Sequence, residues 1–426
     1  MPRRSETGYE YFRVPLNAQQ AELPVRNAKP SGGRRGMLLA EHGIRWRIRI
    51  LLLLCSSVAA LILGETVLGR IFPNEYYVWP PHLRRVFRPD PRYVPGVSGP
   101  SRFETNSLGL RGGEAAPFDT YRILAIGGST TECEYLDQSK TWAYLLQETL
   151  NEAQHEQRVW VGNAGMNGKA TRHHLVAMQY LPIEEMKINT VVLLVGVNDL
   201  QEYLDNPDFL SKPATEEQLL QETFKGGIRH PRPGERFYKR TATWRAWRRA
   251  KQNWFERVEL RKLPDDNGEI LETWREHRQH AGEIRSKLPD LAPGLEDYAR
   301  NINRIIDLAR QKSLRVIFAT QPTMWRPDLS KKLTSLLWFG GIGDFQADSG
   351  KPYYSVEALA EGMHEYNDEL LTVCRERNVE CVDLSGMAKD TTVFYDDVHF
   401  NDSGARAVAR VLASYILDLP PFAASR

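Results

Sequence analysis

The chain has 426 residues, 42% of them hydrophobic, and a formal net charge of +2. Near-neutral balance gives no global argument for nucleic-acid binding, and four Cys without a Cys-x-x-Cys pair exclude a disulfide scaffold and a cysteine metal site. This length suffices for one large core with an accessory subdomain.

Residues 1–47 are rich in Arg, Pro, Gly, Ser and Gln, which predicts a disordered cytoplasmic tail. Residues 48–72 follow as a transmembrane signal-anchor helix. Within them Ile50 to Leu63 is uncharged and apolar except for Ser56 and Ser57, and with its flanks the run reaches bilayer length. A soluble core helix fits less well because nearly every face is apolar. A cleaved signal peptide fits less well because the preceding tail is long and no Ala-x-Ala-type site follows. Arg45, Arg47 and Arg49, with Arg34 and Arg35 behind them, keep the N-terminus in the cytoplasm by the positive-inside rule. Everything beyond Phe72 is then extracytoplasmic, with Tyr76, Tyr77 and Trp79 either at the outer headgroup level or in a loop.

Residues 73–120 are rich in Pro, Gly and Arg and read as a membrane-proximal extended segment beside the main domain. From 121 to 420 strands and helices alternate. Strand-like runs are Arg122 to Gly127, Val159 to Asn163, Thr190 to Val197, Leu314 to Thr320 and Val379 to Leu384. Helical periodicity covers Thr141 to Glu152, Leu291 to Lys312, Val356 to Arg377 and Ser403 to Leu417. Such alternation predicts a parallel sheet with right-handed crossovers and reacting groups at the strands' carboxyl ends.

A helical insertion interrupts the pattern at about 200–289. In it Trp244, Trp247, Lys251 and Trp254 recur at helical spacing and share a face. That face either docks on the domain, forms a basic aromatic lid over an acidic or sugar substrate, or lies on a membrane. Cys374 and Cys381 are either bridged or reduced and buried.

Three strand ends and one late loop carry chemistry. Ser129 follows the first strand after Gly127 and Gly128; Asn163 and Gly168 follow the second; Asn198 and Asp199 follow the third; Asp396 and His399 stand three residues apart near the end. Serine is a poor nucleophile until a base takes its proton. His399 is the candidate base, oriented by Asp396 or, second choice, Asp397. The N–H groups of Ser129 and Gly168 with the Asn198 side chain are candidate oxyanion donors. Taken singly, Ser129 and Asn198 also suit helix caps, and Gly168 a turn. Gln321, Trp325 and Arg326 follow the fourth strand and are candidate substrate-binding residues. His173 and His174 are adjacent on a probable helix and diverge, so neither a metal nor a cofactor is expected.

The four blocks resemble those of the SGNH hydrolases, also called GDSL esterases and lipases. Gly128-Ser129-Thr130 looks like the nucleophile block, Asn163 to Gly168 the glycine block, Gly196-x-Asn198-Asp199 the asparagine block and Asp396-x-x-His399 the terminal block. The resemblance implies a three-layer α/β/α sandwich on a mainly parallel, flavodoxin-like five-stranded sheet. It also implies a Ser129–His399–Asp396 triad with an oxyanion hole of Ser129, Gly168 and Asn198. Two positions depart from the family pattern: Gly128 replaces its usual aspartate, and Phe400 its usual proline.

The expected activity is a membrane-anchored serine esterase working through an acyl-enzyme. Its substrate is an ester on an envelope or extracellular glycan, or a lipid ester. A glycan O-acyltransferase would use the same triad, and a non-catalytic glycan-binding protein is the alternative of another class. The residues leave open the acyl group, the acceptor alcohol, the oligomeric state and any protein partner.

Overall fold

A computed structural model describes residues 33–71, 76–153, 157–206, 210, 214–224, 236–258 and 266–423. Residues 1–32 of the expected tail, Phe72 and parts of the expected insertion lie outside the described residues. The chain divides into two units, Met1–Glu65 and Thr66–Arg426.

Helix α1 spans Gly33–Ile71. The segment expected to be irregular up to residue 47 is therefore helical from Gly33, where Met37, Leu38, Leu39 and Ala40 supply strong helix formers. Within α1, Arg45–Ile71 is long and apolar enough to cross a membrane. By length and composition it fits a membrane anchor or a signal sequence.

The second unit begins with strands β1 (Arg84–Phe87) and β2 (Ser101–Glu104), an antiparallel pair. Then follow β3 (Tyr121–Gly127), α2 (Ser129–Glu132), α3 (Trp142–Ala153), β4 (Val159–Asn163), α4 (Thr171–Tyr180), β5 (Thr190–Leu194) and α5 (Val197–Asp205). Helices α6 (Glu216–Thr223), α7 (Ala242–Val258) and α8 (Ile270–Gln279) lie in the insertion, followed by β6 (Glu283–Arg285). The chain closes with α9 (Ala292–Gln311), β7 (Arg315–Ala319), α10 (Lys331–Thr334), β8 (Pro352–Tyr354), α11 (Val356–Arg377), β9 (Glu380–Val382) and α12 (Asp402–Leu417).

The central sheet is parallel throughout, in the order β4-β3-β5-β7-β9. Strands β4 and β5 are buried at every position because helices cover both faces. Helices α3 and α12 pack on each other, and α4, α9 and α11 form a second group. Helix α9 shows why: Tyr298, Ile302, Ile305, Ile306 and Ala309 make one buried stripe. The chain leaves β3 towards β4 on one side and then crosses to β5 on the other. At such switch points ligands bind beyond the strands' carboxyl ends, and Ser129 follows the carboxyl end of β3.

Residues 76–111 are built into this unit rather than beside it. Tyr76 packs against Tyr180 and Phe224, and Trp79 against Phe103. Tyr76 and Tyr77 are thus buried in protein, which corrects the headgroup-level expectation. Phe87, Val94, Phe103 and Leu110 join the main core, and the Arg111 N–H donates to Asn163 O at 2.8 Å. Cys374 and Cys381 are bridged across a Cα separation of 6.2 Å, which decides against the reduced reading.

Phe103→Ala removes a fully buried ring from the segment once read as peripheral. It is expected to cost about 3–5 kcal/mol in denaturant unfolding; a loss under ~1 kcal/mol would detach this segment from the core.

Candidate active site

Strand β3 ends at Gly127, and the chain turns at Gly128 into the single turn of α2, whose first residue is Ser129. The N-cap is Gly128, so Ser129 is not the cap. Cys133 ends the turn in the left-handed region at φ 56°. The Ser129 Oγ lies 2.8 Å from His399 Nε2.

His399 sits on the loop between β9 and α12. Its Nδ1 lies 2.8 Å from Asp396 Oδ2 and 3.0 Å from Oδ1. Asp396 is fully buried and also accepts from the Val398 and His399 N–H groups and from Trp338 Nε1 at 2.9 Å. Burial pushes the Asp396 pKa up, but the His399 charge and these donors outweigh it, leaving the carboxyl below its usual range. Burial likewise pulls His399 down, while the charge and hydrogen bond of Asp396 more than reverse that, so its pKa is raised. The imidazole lies parallel to the Trp338 and Tyr395 rings. Phe400, at the position of the family's usual proline, stacks on Phe394 at 5.6 Å and closes this loop.

Asp397 takes a different position. It accepts from Trp325 Nε1 at 2.8 Å and from the Trp338 and Phe339 N–H groups. Burial first, and then the Asp396 charge, raise its pKa. It ties the loop after β7 to the His399 loop, and its charge helps to raise the His399 pKa.

The loop after β4 carries Gly168, exposed and at φ +67°. Three side chains hold this loop. The Glu132 carboxylate accepts from the Asn167 N–H at 2.5 Å. Asn198 Nδ2 donates to Lys169 O at 3.0 Å. Asp199 accepts from the Thr171 N–H at 3.0 Å and from its hydroxyl at 2.5 Å. Burial pushes the Asp199 pKa up to about 7, partly opposed by Thr171. The Asn198 amide also stands beside Gly128, where a Cβ would collide with it. A glycine, in place of the family's aspartate, therefore gives the amide its room.

Arg111 supports the same assembly from below. It is wholly buried and donates to the carbonyls of Glu132, Cys133 at 2.6 Å and Leu136 at 2.5 Å. Burial lowers its pKa to about 10, so it stays charged at neutral pH. Arg275 of α8 donates to Tyr395 O at 3.2 Å, next to Asp396.

The candidate substrate residues do not gather at the nucleophile as a group. Gln321 is buried and accepts from the Thr130 hydroxyl at 3.3 Å. Trp325 has no exposed surface and donates its indole N–H to Asp397. Arg326 is exposed, and its charge acts on Lys389. Among the described residues no group of three metal-ligating side chains occurs. The sequence singles out Asp199 only as a member of the asparagine block and gives no role to Arg111, Glu132 or Trp338. Glu132 had a local signal, a carboxylate one turn after Ser129; Arg111 and Trp338 are remote in sequence and had none.

The GDSL-like Lipase/Acylhydrolase family model matches residues 125–407, about two thirds of the chain, and the protein belongs to that family. It is an ester hydrolase of the GDSL type. No curated protein matches it. Among solved structures it is similar to the acetylxylan esterase Axe2 of Geobacillus stearothermophilus, at 13% identity over 72% of this chain and 98% of that one, TM-score 0.38. It is also similar to a lipolytic G-D-S-L family protein of Veillonella parvula, at 12% identity over 70% and 100%, TM-score 0.35. The native aryl esterase of M. smegmatis gives 12% identity over 70% and 100%, TM-score 0.35.

Gly128→Asp restores the family's usual residue but displaces the Asn198 amide. It is expected to lower kcat for a soluble ester at least about tenfold, roughly 1.4 kcal/mol; unchanged or improved turnover would refute the packing argument. Glu132→Ala frees the Asn167–Gly168 backbone and is expected to lower kcat by roughly 10–100-fold with KM little changed. An equal loss confined to KM would assign Glu132 to substrate binding instead.

Proposed function

We propose that Ser129, His399 and Asp396 form the catalytic triad of an acyl-enzyme mechanism, and the observation that carries this is the 2.8 Å approach of His399 Nε2 to Ser129 Oγ with Nδ1 on Asp396. His399 takes the hydroxyl proton as Ser129 Oγ bonds to the ester carbonyl carbon. Negative charge moves to the carbonyl oxygen, where the N–H groups of Ser129 and Gly168 and the Asn198 amide receive it. Such donors supply about 3 kcal/mol each in comparable sites. The intermediate collapses, the C–O bond to the alcohol breaks, and His399 gives that alcohol its proton. Water then attacks the acyl carbon with His399 again as base, releasing the carboxylic acid and free Ser129.

The favoured substrates are O-acyl groups on envelope or extracellular glycans, with lipid esters second. Location supports that order: α1 acts as a signal-anchor with the N-terminus cytoplasmic, which puts the hydrolase domain outside. Turnover of acetylated oligosaccharides exceeding that of long-chain esters is the expected result; the reverse order assigns the site to lipids.

A fluorophosphonate probe is expected to label Ser129 in the wild type and leave Ser129→Ala unlabelled, with kcat falling on the order of 10⁶-fold in the variant. Labelling at another residue would end the assignment. Only neutral His399 accepts the proton, so kcat/KM should fall as pH drops through its raised pKa. Asp396→Asn removes the charge that raises it. The acid limb should move to lower pH while kcat drops about 10⁴-fold; an unmoved limb would show that another group titrates.

A further inference from the structure

Helix α7 and the turn before it carry a pattern that ester hydrolysis leaves unused. From Arg236 to Lys251 the chain holds seven Arg and Lys residues and no Asp or Glu. The same stretch exposes large aromatics: Phe237 is 84% and Trp247 51% accessible. Trp244 and Trp247 stack at 4.6 Å, Tyr238 meets Trp244 edge-on at 5.3 Å, and Lys251 Nζ stands 5.4 Å over the Trp247 ring. The shared aromatic face is therefore present, but Trp247 is not docked in the core. The Trp254 side chain lies outside the described residues.

The position of α7 narrows what covers this surface. Gly69 belongs to the last turn of α1. A methyl built there would meet Ala242 Cβ at 3.9 Å and an Arg245 guanidinium nitrogen at 4.0 Å. The first turn of α7 thus lies beside the last turn of α1, where the apolar stretch Arg45–Ile71 ends. Amphipathic rings at this level and cations beside them match the two components of an anionic lipid surface. Helices of this composition lie in the interfacial plane.

We propose that residues 236–251 rest on the bilayer that α1 enters, with Phe237 and Trp247 at the headgroup–acyl boundary and the Arg236, Lys239, Arg248 and Lys251 side chains on anionic lipid phosphates. The proposal rests on the anchor reading of α1. It assigns α7 to holding the hydrolase unit at the membrane surface, not to contact with the substrate.

Hydrogen exchange on the full chain tests this in nanodiscs of phosphatidylcholine, with or without phosphatidylglycerol. Amides of residues 242–251 are expected to exchange about tenfold more slowly in the anionic discs. The triple variant Trp247→Ser, Arg248→Glu, Lys251→Glu should abolish that slowing and keep fluorophosphonate labelling of Ser129. Equally fast exchange in both discs overturns the proposal. So does slowing caused instead by an acidic oligosaccharide in phosphatidylcholine discs, which would make the face a glycan site. A chain released from membranes by alkaline carbonate overturns the anchor and the proposal together, whereas a retained chain with an unprotected α7 overturns the surface contact alone.

Discussion

The site depends on one buried carboxylate. Asp396 has no solvent exposure, yet two backbone N–H groups, an indole N–H and an imidazole N–H converge on its two oxygens. Removing one partner from a buried charge costs about 3–5 kcal/mol, so this arrangement allows little variation. It fixes which imidazole nitrogen carries the proton and leaves the other directed at Ser129. The two backbone donors come from the same short loop, so Asp396 shapes the backbone that presents His399 as well as the ring.

Buried arginines do corresponding work for the loops. Arg111 holds the carbonyls at the end of the α2 turn, Arg275 holds Tyr395 O, and Arg278 donates to Phe339 O and Tyr354 O. Each guanidinium offers five donors in a fixed plane, which suits buried carbonyls at the ends of elements and in the loops beyond them. Two of these arginines come from α8 of the insertion and one from the segment preceding β3. Regions that looked accessory in the sequence thereby set the positions of the loops around Ser129 and His399.

The two departures from the family pattern have local compensation. Gly128 leaves the space that the Asn198 amide occupies, and Phe400 replaces a rigid ring in the backbone with a stacked ring in the core. Both changes exchange one constraint for another at the same place. Neither leaves the turn or the loop unsupported.

The alternation of buried apolar runs with amphipathic helices was enough, from residues alone, to determine the parallel sheet, because a strand covered on both faces must be apolar throughout and a surface helix must be apolar on one side. Strand ends placed the Ser129, Gly168 and Asn198 blocks at one edge, and the three-residue spacing brought Asp396 to His399. Tertiary structure decided what the second carboxylate does, since packing turns Asp397 towards Trp325 and the Trp338 and Phe339 N–H groups. It also brought Arg111, Trp338 and Arg275 to the site and paired Trp325 with Asp397. Those contacts join residues distant along the chain, and no local pattern encodes a hydrogen bond whose two partners meet only after the core has closed.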